Sequence, residues 1–434
     1  MDLLYANDRP GTYPDSWYAA SSPTLPAFAP LNGDARADVC VIGAGYTGLS
    51  AALHLAQSGR RVIVLEAQRV GFGASGRNGG QLGSGQRIDQ EDLEAMVGSD
   101  QARALWALSE NAKALVKSLI ADHSIDCHLK PGVAVTGSKA GDVQHLHAHA
   151  EHLQTKYGYD QIEVLDAQAC HALCPSPDYK GGYLDHGAAH LHPLAFALGL
   201  ARAATAAGVT IHEQTRVTHM DPGSPVTVHT QNGQITADNV VLACNGYLSG
   251  LAPEVTARVM PINNFIVATE PLGARTAEVL TRDVAVADSR FVVNYFRLSH
   301  DGRLLFGGGE SYGYKFPKDI ATVVRKPMQI VFPHLRDVRI DYAWGGTLGI
   351  TMKRFPYLAR VTPNVLSASG YSGHGVGTAT HAGQLMAQAI LGQDDGFKTM
   401  GCMPTPAFPG AGALRTPLLV LAMTWYAMRD RLGV

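Results

Sequence analysis

The sequence has little net charge and no long apolar run, and each absence excludes a class of protein. Its 434 residues carry a formal net charge of −2 at pH 7, whereas binding to nucleic acid phosphates requires a clear basic excess. The most apolar segment, residues 417–428 (PLLVLAMTWYAM), is too short to cross a bilayer. We therefore expect no nucleic acid partner and no transmembrane segment. Residues 417–428 are interpreted as a docked C-terminal helix, with peripheral contact to a membrane surface as the alternative.

The sequence also lacks a secretory signal, because no basic start is followed by an apolar run within residues 1–30. This pattern predicts a cytoplasmic protein whose six cysteines stay reduced. Cys170 and Cys174 flank His171, but a zinc site needs a second ligand pair at a standard spacing. Buried thiols are favoured there. Histidines 145, 147, 149 and 152 divide between two faces of a predicted helix, which favours a solvated or partly packed surface. No metal site is predicted.

Residues 38–66 have the pattern of a dinucleotide-binding unit. The apolar run VCVI predicts a buried parallel strand, GAGYTG follows, and Ala and Leu then recur at helical spacing. Gly43 permits the tight turn, Gly45 lets a pyrophosphate approach the backbone, and Gly48 permits close packing of helix on strand. Glu66 ends a second apolar strand, where a carboxylate can accept hydrogen bonds from ribose hydroxyls. The unit predicts an adenine dinucleotide without a 2′-phosphate.

Residues 71–85 (GFGASGRNGGQLGSG) contain seven glycines, and glycine loses the most backbone entropy on folding. One interpretation is a flexible linker. The other is a backbone that passes close to the far end of the dinucleotide, and it is favoured because a linker here would divide the nucleotide domain. Gly79 and Gly80 would then lie against a flat ring. Polar groups would come from Ala74, Ser75 and Gln81.

The rest of the chain predicts an α/β protein with two interleaved domains. A helix at 191–207, an Asn-Gly hairpin turn at 232–233 and a strand–turn–helix unit at 364–391 fit the nucleotide domain. Residues 260–350 alternate like an antiparallel sheet, and 89–157 are mainly helical. The predicted segments are an arm at 1–32, a nucleotide-binding domain at 33–88, 186–256 and 351–395, a substrate domain at 89–185 and 257–350, and a C-terminal extension at 396–434.

Four stretches carry a family resemblance: GAGYTGLSAALHLA, VIVLEAQRVGFGASGRNGGQ, NYFRLSHDGRLLFGGGE and GYSGHGVGTATHAGQL. Together they resemble the FAD-dependent amine and amino-acid oxidases of the D-amino-acid oxidase and glycine oxidase group. Within that group the sequence is most similar to γ-glutamylputrescine oxidoreductases and related bacterial polyamine oxidases. The resemblance covers nearly the whole chain. It implies a Rossmann-type FAD-binding domain of the glutathione-reductase type and a substrate domain with a mainly antiparallel sheet.

The resemblance also implies where FAD would lie. Its isoalloxazine end would be near residues 79–81, its adenine end near Val217 and its pyrimidine edge near 373–376, at a helix N-terminus that favours negative charge. His374 could add positive charge there if protonated. The implied cofactor contacts are Gly43, Gly45, Tyr46, Gly48, Glu66, Ala67, Ala74, Ser75, Arg77, Asn78, Gly79, Gly80, Gln81, Val217, Gly246, Gly373, His374, Gly375 and Val376.

Two departures from the family pattern are informative. Amino-acid oxidases of the group commonly carry W-A-G-L-R-P, whose Arg holds the substrate carboxylate, and Leu348 stands at that position here. A carboxylate on the reacting carbon is therefore disfavoured. Sarcosine oxidases attach the flavin to a cysteine, and no cysteine occurs between Cys244 and Cys402. Non-covalent FAD is expected.

The reaction implied by the resemblance is oxidation of a C–N bond by hydride transfer to flavin N5, with O2 or another acceptor taking the electrons. An amine such as γ-glutamylputrescine is the expected substrate. Tyr295 and Phe296 are strand neighbours, so only one can face the flavin. Arg297 and Arg354 are candidates for a substrate carboxylate. The candidate residues for the reacting end are His374, Tyr295, Trp344, Phe265 and Asn264.

Three other functions stay open at this point. One is oxidation of a secondary or D-amino acid. The second is a flavoprotein domain that serves tRNA modification, which the mild net charge disfavours. The third is a catalytically silent FAD-binding sensor or scaffold.

Overall fold

The computed structural model describes residues 2–23 and 25–409. The predicted helix at 417–428, and with it the membrane contact, lies outside the described residues. Across the two described ranges, no helix is both long enough and apolar enough to span a bilayer.

The strands alternate with helices in the first half of the chain and follow one another in the second half. The strands are β1 (Ala35–Ile42), β2 (Val62–Leu65), β3 (Gln81–Leu82), β4 (Lys130–Gly137), β5 (Ile162–Leu165), β6 (Gly181–His190), β7 (Thr210–His212), β8 (Val217–Asp221), β9 (Val226–Thr230), β10 (Gln234–Leu242), β11 (Met260–Pro271), β12 (Ala285–Asp288), β13 (Tyr295–Leu298), β14 (Arg303–Ser311), β15 (Ile340–Ile350), β16 (Tyr357–Thr362) and β17 (Val365–Ser369).

The longer helices lie near both ends of the chain and between the early strands. The α-helices are α1 (Trp17–Ser21), α2 (Tyr46–Gln57), α3 (Gln90–Val97), α4 (Ser99–Asp122), α5 (Ala140–Tyr157), α6 (Ala167–Leu173), α7 (Pro193–Ala206), α8 (Pro253–Thr256), α9 (Ile320–Val331), α10 (Gly375–Ile390) and α11 (Asp395–Met400).

The first sheet is parallel at its centre. Its strands run in the order β16-β17-β10-β1-β2-β7, and β17, β10, β1, β2 and β7 are all parallel. Val39 and Val41 point from β1 into the core that contains α2, α7 and α10, whereas Cys40 and Ile42 point into the core on the opposite face. Both faces are buried, which explains why residues 39–42 of β1 and all of β2 are continuous apolar runs.

The second sheet is almost entirely antiparallel. Its order is β15-β11-β14-β13-β12-β4-β6-β3, with β5 added to β6, and the β12–β4 pair is parallel. β3 lies inside the glycine-rich stretch and pairs with β6, Gln81 opposite His190. The stretch is therefore an ordered connection from the first sheet to the second, and the linker interpretation does not hold.

The α/β fold class and the main predicted elements are confirmed. β1, α2 and β2 form the predicted nucleotide unit, and Asn232-Gly233 turns the chain between the paired strands β9 and β10. The sheets divide the chain slightly differently from the predicted domain segments. The predicted boundary between 185 and 186 falls inside β6, and β3 belongs to the second sheet.

The crossing of α2 and α10 suits a direct test, because Gly383 leaves no room for a side chain. A Cβ atom there would lie 2.3 Å from the Thr47 carbonyl oxygen, whereas one at Gly141 of α5 would meet no atom within 4 Å. We expect Gly383→Ala to lower the melting temperature, since overpacking costs about 1–3 kcal/mol. Gly141→Ala should leave it unchanged or raise it, because Ala is favoured over Gly in helices by about 0.5–1 kcal/mol. Circular dichroism melts check both, and equal melting temperatures would contradict the packing.

Candidate active site

A cavity of about 850 Å³ connects the two sheets. One end is formed where β1, β2, β10 and β17 finish, at residues such as Glu66, Asn245 and Tyr371. The other end is formed by the second sheet at Asn264 and Tyr295. Ligands of open α/β sheets bind at the carboxyl ends of the parallel strands, so the cavity is in the expected place for a dinucleotide.

The turn after β1 is held by the acid that ends β2. Glu66 accepts hydrogen bonds from the backbone N–H groups of Ala44 (2.8 Å) and Gln68 (2.9 Å) through different oxygens. Burial raises the pKa of Glu66 to about 7. α2 begins at Tyr46, whose N–H donates to the Ser75 hydroxyl at 3.0 Å, and Gly45 and Tyr46 both line the cavity. Its positive N-terminus therefore faces the cavity and suits a pyrophosphate.

The glycine-rich loop is braced by Arg77 and Asn78. The Arg77 guanidinium donates hydrogen bonds to the carbonyl oxygens of Phe72 (2.6 Å) and Gly345 (3.1 Å) and pairs with Asp8 at 2.9 Å. Asn78 donates to the Ala74 and Ser75 carbonyls and accepts from the Gly80 N–H. Arg77 lines the cavity, and its Nε and Nη1 donate to protein acceptors, whereas its buried Nη2 has no hydrogen-bond partner among the described residues. It acts as a brace for the loop.

The flavin end has the open space and the donors that an isoalloxazine needs. Gly373 has a φ of +89°, and a Cβ added there would meet no protein atom within 4 Å. Gly373 lines the cavity, so a ligand can approach the backbone closely at this position. α10 begins at Gly375, and its N-cap residue makes no side-chain cap bond. Free N–H groups and the positive helix end face the same space, so these residues fit FAD.

Burial disfavours the protonated form of His374, in which it could add positive charge at the flavin end. Its Nε2 lies 3.1 Å from the Gly85 carbonyl oxygen and must donate to it, since a carbonyl only accepts. Burial, and then the nearby Arg87, lower the pKa of His374 to about 4. At neutral pH the imidazole is therefore a fixed donor that ties α10 to the glycine-rich stretch.

Tyr295 forms the wall opposite the flavin end. A Cβ added at Gly79 would lie 2.6 Å from the Tyr295 ring, and one at Gly307 would lie 2.1 Å from it. The ring is thus clamped between two glycines. Its hydroxyl donates a hydrogen bond to Asn264 Oδ1, and Asn264 Nδ2 donates to the Gly309 carbonyl at 3.1 Å. Burial raises the pKa of Tyr295, which keeps the hydroxyl protonated.

Two residues predicted for the reacting end lie outside the cavity. Trp344 is 2% exposed, packs against Tyr18 with ring centroids 5.1 Å apart and donates its indole N–H to the Arg77 carbonyl. Phe265 lies in the core of the second sheet, edge-on to Phe316. Its strand neighbour Asn264 faces the cavity, so Phe265 must face away.

The predicted cofactor residues mostly line the cavity. Gly48, Gly80 and Gly246 do not, and each packs instead against backbone, at Gly43, Leu191 and Leu348 respectively. Those that line it are Gly43, Gly45, Tyr46, Glu66, Ala67, Ala74, Ser75, Arg77, Asn78, Gly79, Gln81, Val217, Gly373, His374, Gly375 and Val376.

The cavity contains charged residues that the sequence analysis did not single out. Arg87 and Glu310 line it together with Arg354. Arg87 comes two residues after Gly85. Its closeness to the glycine-rich stretch is the feature of the sequence that could have identified it as a cavity residue. Arg297, a candidate for a substrate carboxylate, is 4% exposed and donates to the Gly79 carbonyl at 3.0 Å. Arg297 therefore stabilises the glycine-rich loop from the side that faces away from the cavity.

The helical histidines of α5 pair with acids of the α3 region. His145 lies 2.9 Å from Asp89, His149 2.8 Å from Glu91, and His152 3.0 Å from Glu94. These pairs confirm a partly packed surface.

Two further groups bear on metal binding. Cys170 and Cys174 are free and buried, as expected. On the exposed β8–β9 hairpin, His219, Asp221 and His229 offer ligand atoms within 4.8 Å of one another.

Comparison with known proteins identifies relatives along almost the full length. Residues 38–389 match the family model described as "DAO: FAD dependent oxidoreductase". The chain is 43% identical over 417 residues to a "Probable oxidoreductase OrdL" of Rhizobium meliloti, covering 96% of this chain and 97% of that protein. It is 39% identical over 422 residues to the gamma-glutamylputrescine oxidoreductase of Escherichia coli, covering 96% and 99%. Among solved structures, glycine oxidase from Geobacillus kaustophilus has a TM-score of 0.69 at 20% identity, covering 82% of this chain and 95% of that one.

The role of Glu66 can be tested through cofactor affinity. We expect Glu66→Ala to weaken FAD binding about 10- to 100-fold, because it removes the two hydrogen bonds that hold the turn after β1, each worth about 0.5–1.5 kcal/mol. Glu151→Ala, on the exposed side of α5, is the matched control. Fluorescence titration of the apoproteins with FAD measures both. Equal affinities, with unchanged circular dichroism, would contradict a role for Glu66 in shaping the nucleotide site.

Proposed function

The chain belongs to the DAO family of FAD-dependent oxidoreductases, and from that premise we propose that it oxidises the C–N bond of an alkylamine of the γ-glutamylputrescine type. The relative of that name is 39% identical to this chain. FAD supplies the two-electron acceptor for the hydride that leaves the carbon beside the amine nitrogen. Water then hydrolyses the imine to an aldehyde and ammonia, and we propose O2, reduced to H2O2, as the final acceptor.

The observation that carries the proposal is Leu348. It lines the cavity, and the sequence resemblance implies that amino-acid oxidases of the family have their carboxylate-binding Arg at this position. It packs with Met260, Ile262 and Ile350 in an apolar cluster at the joined ends of β11 and β15. An apolar wall here gives no partner to a carboxylate on the reacting carbon, but it suits the methylene chain of an alkylamine.

The apolar wall favours the neutral form of the amine, and Tyr295 holds its nitrogen in place for oxidation. An alkylammonium with a pKa near 10 costs about 4 kcal/mol to deprotonate at pH 7, at 1.36 kcal/mol per pKa unit. A dry cavity lowers that cost, because burial disfavours the cation. Since the Tyr295 proton is donated to Asn264, its oxygen is left to accept a hydrogen bond from the amine N–H and hold the nitrogen in place.

One observation favours a second candidate, an amino-acid oxidase. Arg87 and Arg354 both line the cavity, and an arginine there could bind a substrate carboxylate.

The deciding experiment is anaerobic mixing of the holoenzyme with separate substrates, followed through the visible absorbance of oxidised flavin. The amines are γ-glutamylputrescine, putrescine and spermidine, and the amino acids are glycine, sarcosine, D-alanine and L-pipecolate. We expect the amines alone to bleach the flavin, with γ-glutamylputrescine fastest. Bleaching by the amino acids alone would overturn the proposal. If no compound bleaches the flavin, the silent sensor or scaffold is the better interpretation.

The positioning role of Tyr295 gives a second prediction. Tyr295→Phe keeps the clamped ring but removes the hydroxyl, so the amine loses its acceptor and Asn264 Oδ1 loses its donor. We expect kcat/KM for the amine to fall about 3- to 10-fold, the worth of one neutral hydrogen bond of about 0.5–1.5 kcal/mol. Tyr342→Phe is the matched control, because Tyr342 lies on β15 beside Arg303. Stopped-flow flavin reduction measures the rates, and equal rates in both variants would contradict the role.

A further inference from the structure

The cavity holds a group of charged side chains that the proposed oxidation does not use. Arg87, Arg354 and Glu310 line the same cavity as Tyr295. They come from three separate parts of the chain: the stretch before α3, the turn after β15, and the end of β14. Charged residues in a partly buried cavity are suited to a ligand that carries complementary charges.

Arg87 has donors to spare. Within residues 2–23 and 25–409 its guanidinium makes no hydrogen bond and has no carboxylate within 4.0 Å, although it is half-buried. Arg290 has no such capacity, because it is engaged by Asp288 (2.5 Å) and Asp178 (2.7 Å). Burial, and then the nearby Arg354, lower the pKa of Arg87. An unpaired guanidinium facing a cavity is suited to bidentate binding of a carboxylate.

Arg354 supplies a second cation from a constrained turn. Its backbone is in the left-handed region, with φ +59°, and its N–H donates to the Thr351 carbonyl at 3.1 Å. Its guanidinium carbon lies 5.8 Å from the centre of the Phe291 ring. The left-handed backbone is uncommon for a non-glycine residue, and Arg354 lines the cavity from this turn.

Glu310 connects the charged group with the reacting end. It lies directly across from Asn264 in the β11–β14 pair, and Asn264 holds the Tyr295 hydroxyl. The Tyr312 hydroxyl donates to one Glu310 oxygen at 2.9 Å, which leaves the other oxygen for a cationic group. Burial raises the pKa of Glu310, and the nearby arginines oppose that rise.

We propose that Arg87 and Arg354 bind the carboxylate, and Glu310 the ammonium, of an α-amino-acid head group at the end of the substrate remote from the oxidised amine. The inference rests on the proposed amine oxidation and specifies its substrate class: an alkylamine whose other end is a zwitterion. γ-Glutamylputrescine has this form, whereas putrescine and spermidine do not. The same site explains why two arginines line a cavity whose reacting end is apolar.

Binding of a compound that cannot be oxidised separates this site from the reaction. L-γ-Glutamylethylamide keeps the zwitterionic head and the amide but lacks the terminal amine. We expect it to bind the holoenzyme, as measured by calorimetry and by perturbation of the flavin spectrum. Arg87→Met should weaken that binding about 10- to 100-fold, since it removes charge-assisted hydrogen bonds. Arg60→Met is the matched control, because Arg60 is exposed beyond α2.

Glu310→Gln tests the ammonium half of the site. It should weaken binding of L-γ-glutamylethylamide but not of glutaric acid monoethylamide, which has the carboxylate without the ammonium. Equal weakening of both compounds, or of neither, would overturn the role of Glu310. Retention of the visible flavin spectrum in each variant reports that it has folded around FAD.

The kinetic counterpart compares γ-glutamylputrescine with N-acetylputrescine, which has the amine but no zwitterion. We expect Arg87→Met to lower the ratio of their kcat/KM values about 10- to 100-fold. An equal loss for both substrates would assign Arg87 a structural role and overturn the inference. If γ-glutamylputrescine bleaches the flavin but L-γ-glutamylethylamide does not bind, the head-group site is wrong and the amine oxidation stands. If L-γ-glutamylethylamide binds but no amine bleaches the flavin, the head-group site stands and the proposed amine oxidation is wrong.

Discussion

The buried guanidinium of Arg77 is the interaction on which the arrangement of the site depends. Its side chain is 1% exposed and joins three parts of the molecule: the glycine-rich loop at Phe72, the amino-terminal arm at Asp8 and the second sheet at Gly345. The Arg77 carbonyl also accepts the indole N–H of Trp344. Removing one partner of a buried charge costs about 3–5 kcal/mol, so these parts are held in one geometry. The cavity between the two sheets exists because of that geometry.

The cavity walls differ in chemistry from one end to the other. The parallel strands supply backbone N–H groups, glycines and the carboxylate of Glu66, which suit a dinucleotide. At the junction of the sheets, Leu348 and the clamped Tyr295 ring form a neutral surface. Beyond Asn264 the wall becomes charged. An extended molecule with an uncharged reacting end and a polar far end matches this order, because each part of it would meet a wall of its own polarity.

The sequence allowed prediction of those parts of the site that depend on local backbone geometry. These parts are the strand, the glycine turn, the helix and Glu66, which are close together in the chain. The spacing of the glycines reflects the backbone geometry that the turn requires. The directions of the side chains on β11 were harder to predict from the sequence. That strand is buried on both faces, so its residues do not alternate between polar and apolar. The period of two that separates Tyr295 from Phe296 also separates Asn264 from Phe265, and applying it would have removed Phe265. The remaining features of the site depend on packing between segments that are far apart in the chain. The lowered pKa of His374 follows from burial, and the place of Arg87 follows from the contact between distant segments.

The first sheet takes its strands from well-separated parts of the chain. β1 and β2 end by residue 65, β10 ends at residue 242, and β17 with the start of α10 comes only at residues 365–375. During synthesis the nucleotide half of the cavity therefore has its glycine turn long before it has the wall that would hold the flavin ring. Contacts of such large sequence separation form slowly, and a partly made sheet exposes strand edges. The wall that would hold the flavin ring is therefore absent until residues 365–375 have been made, and uptake of the cofactor belongs to a late stage of folding.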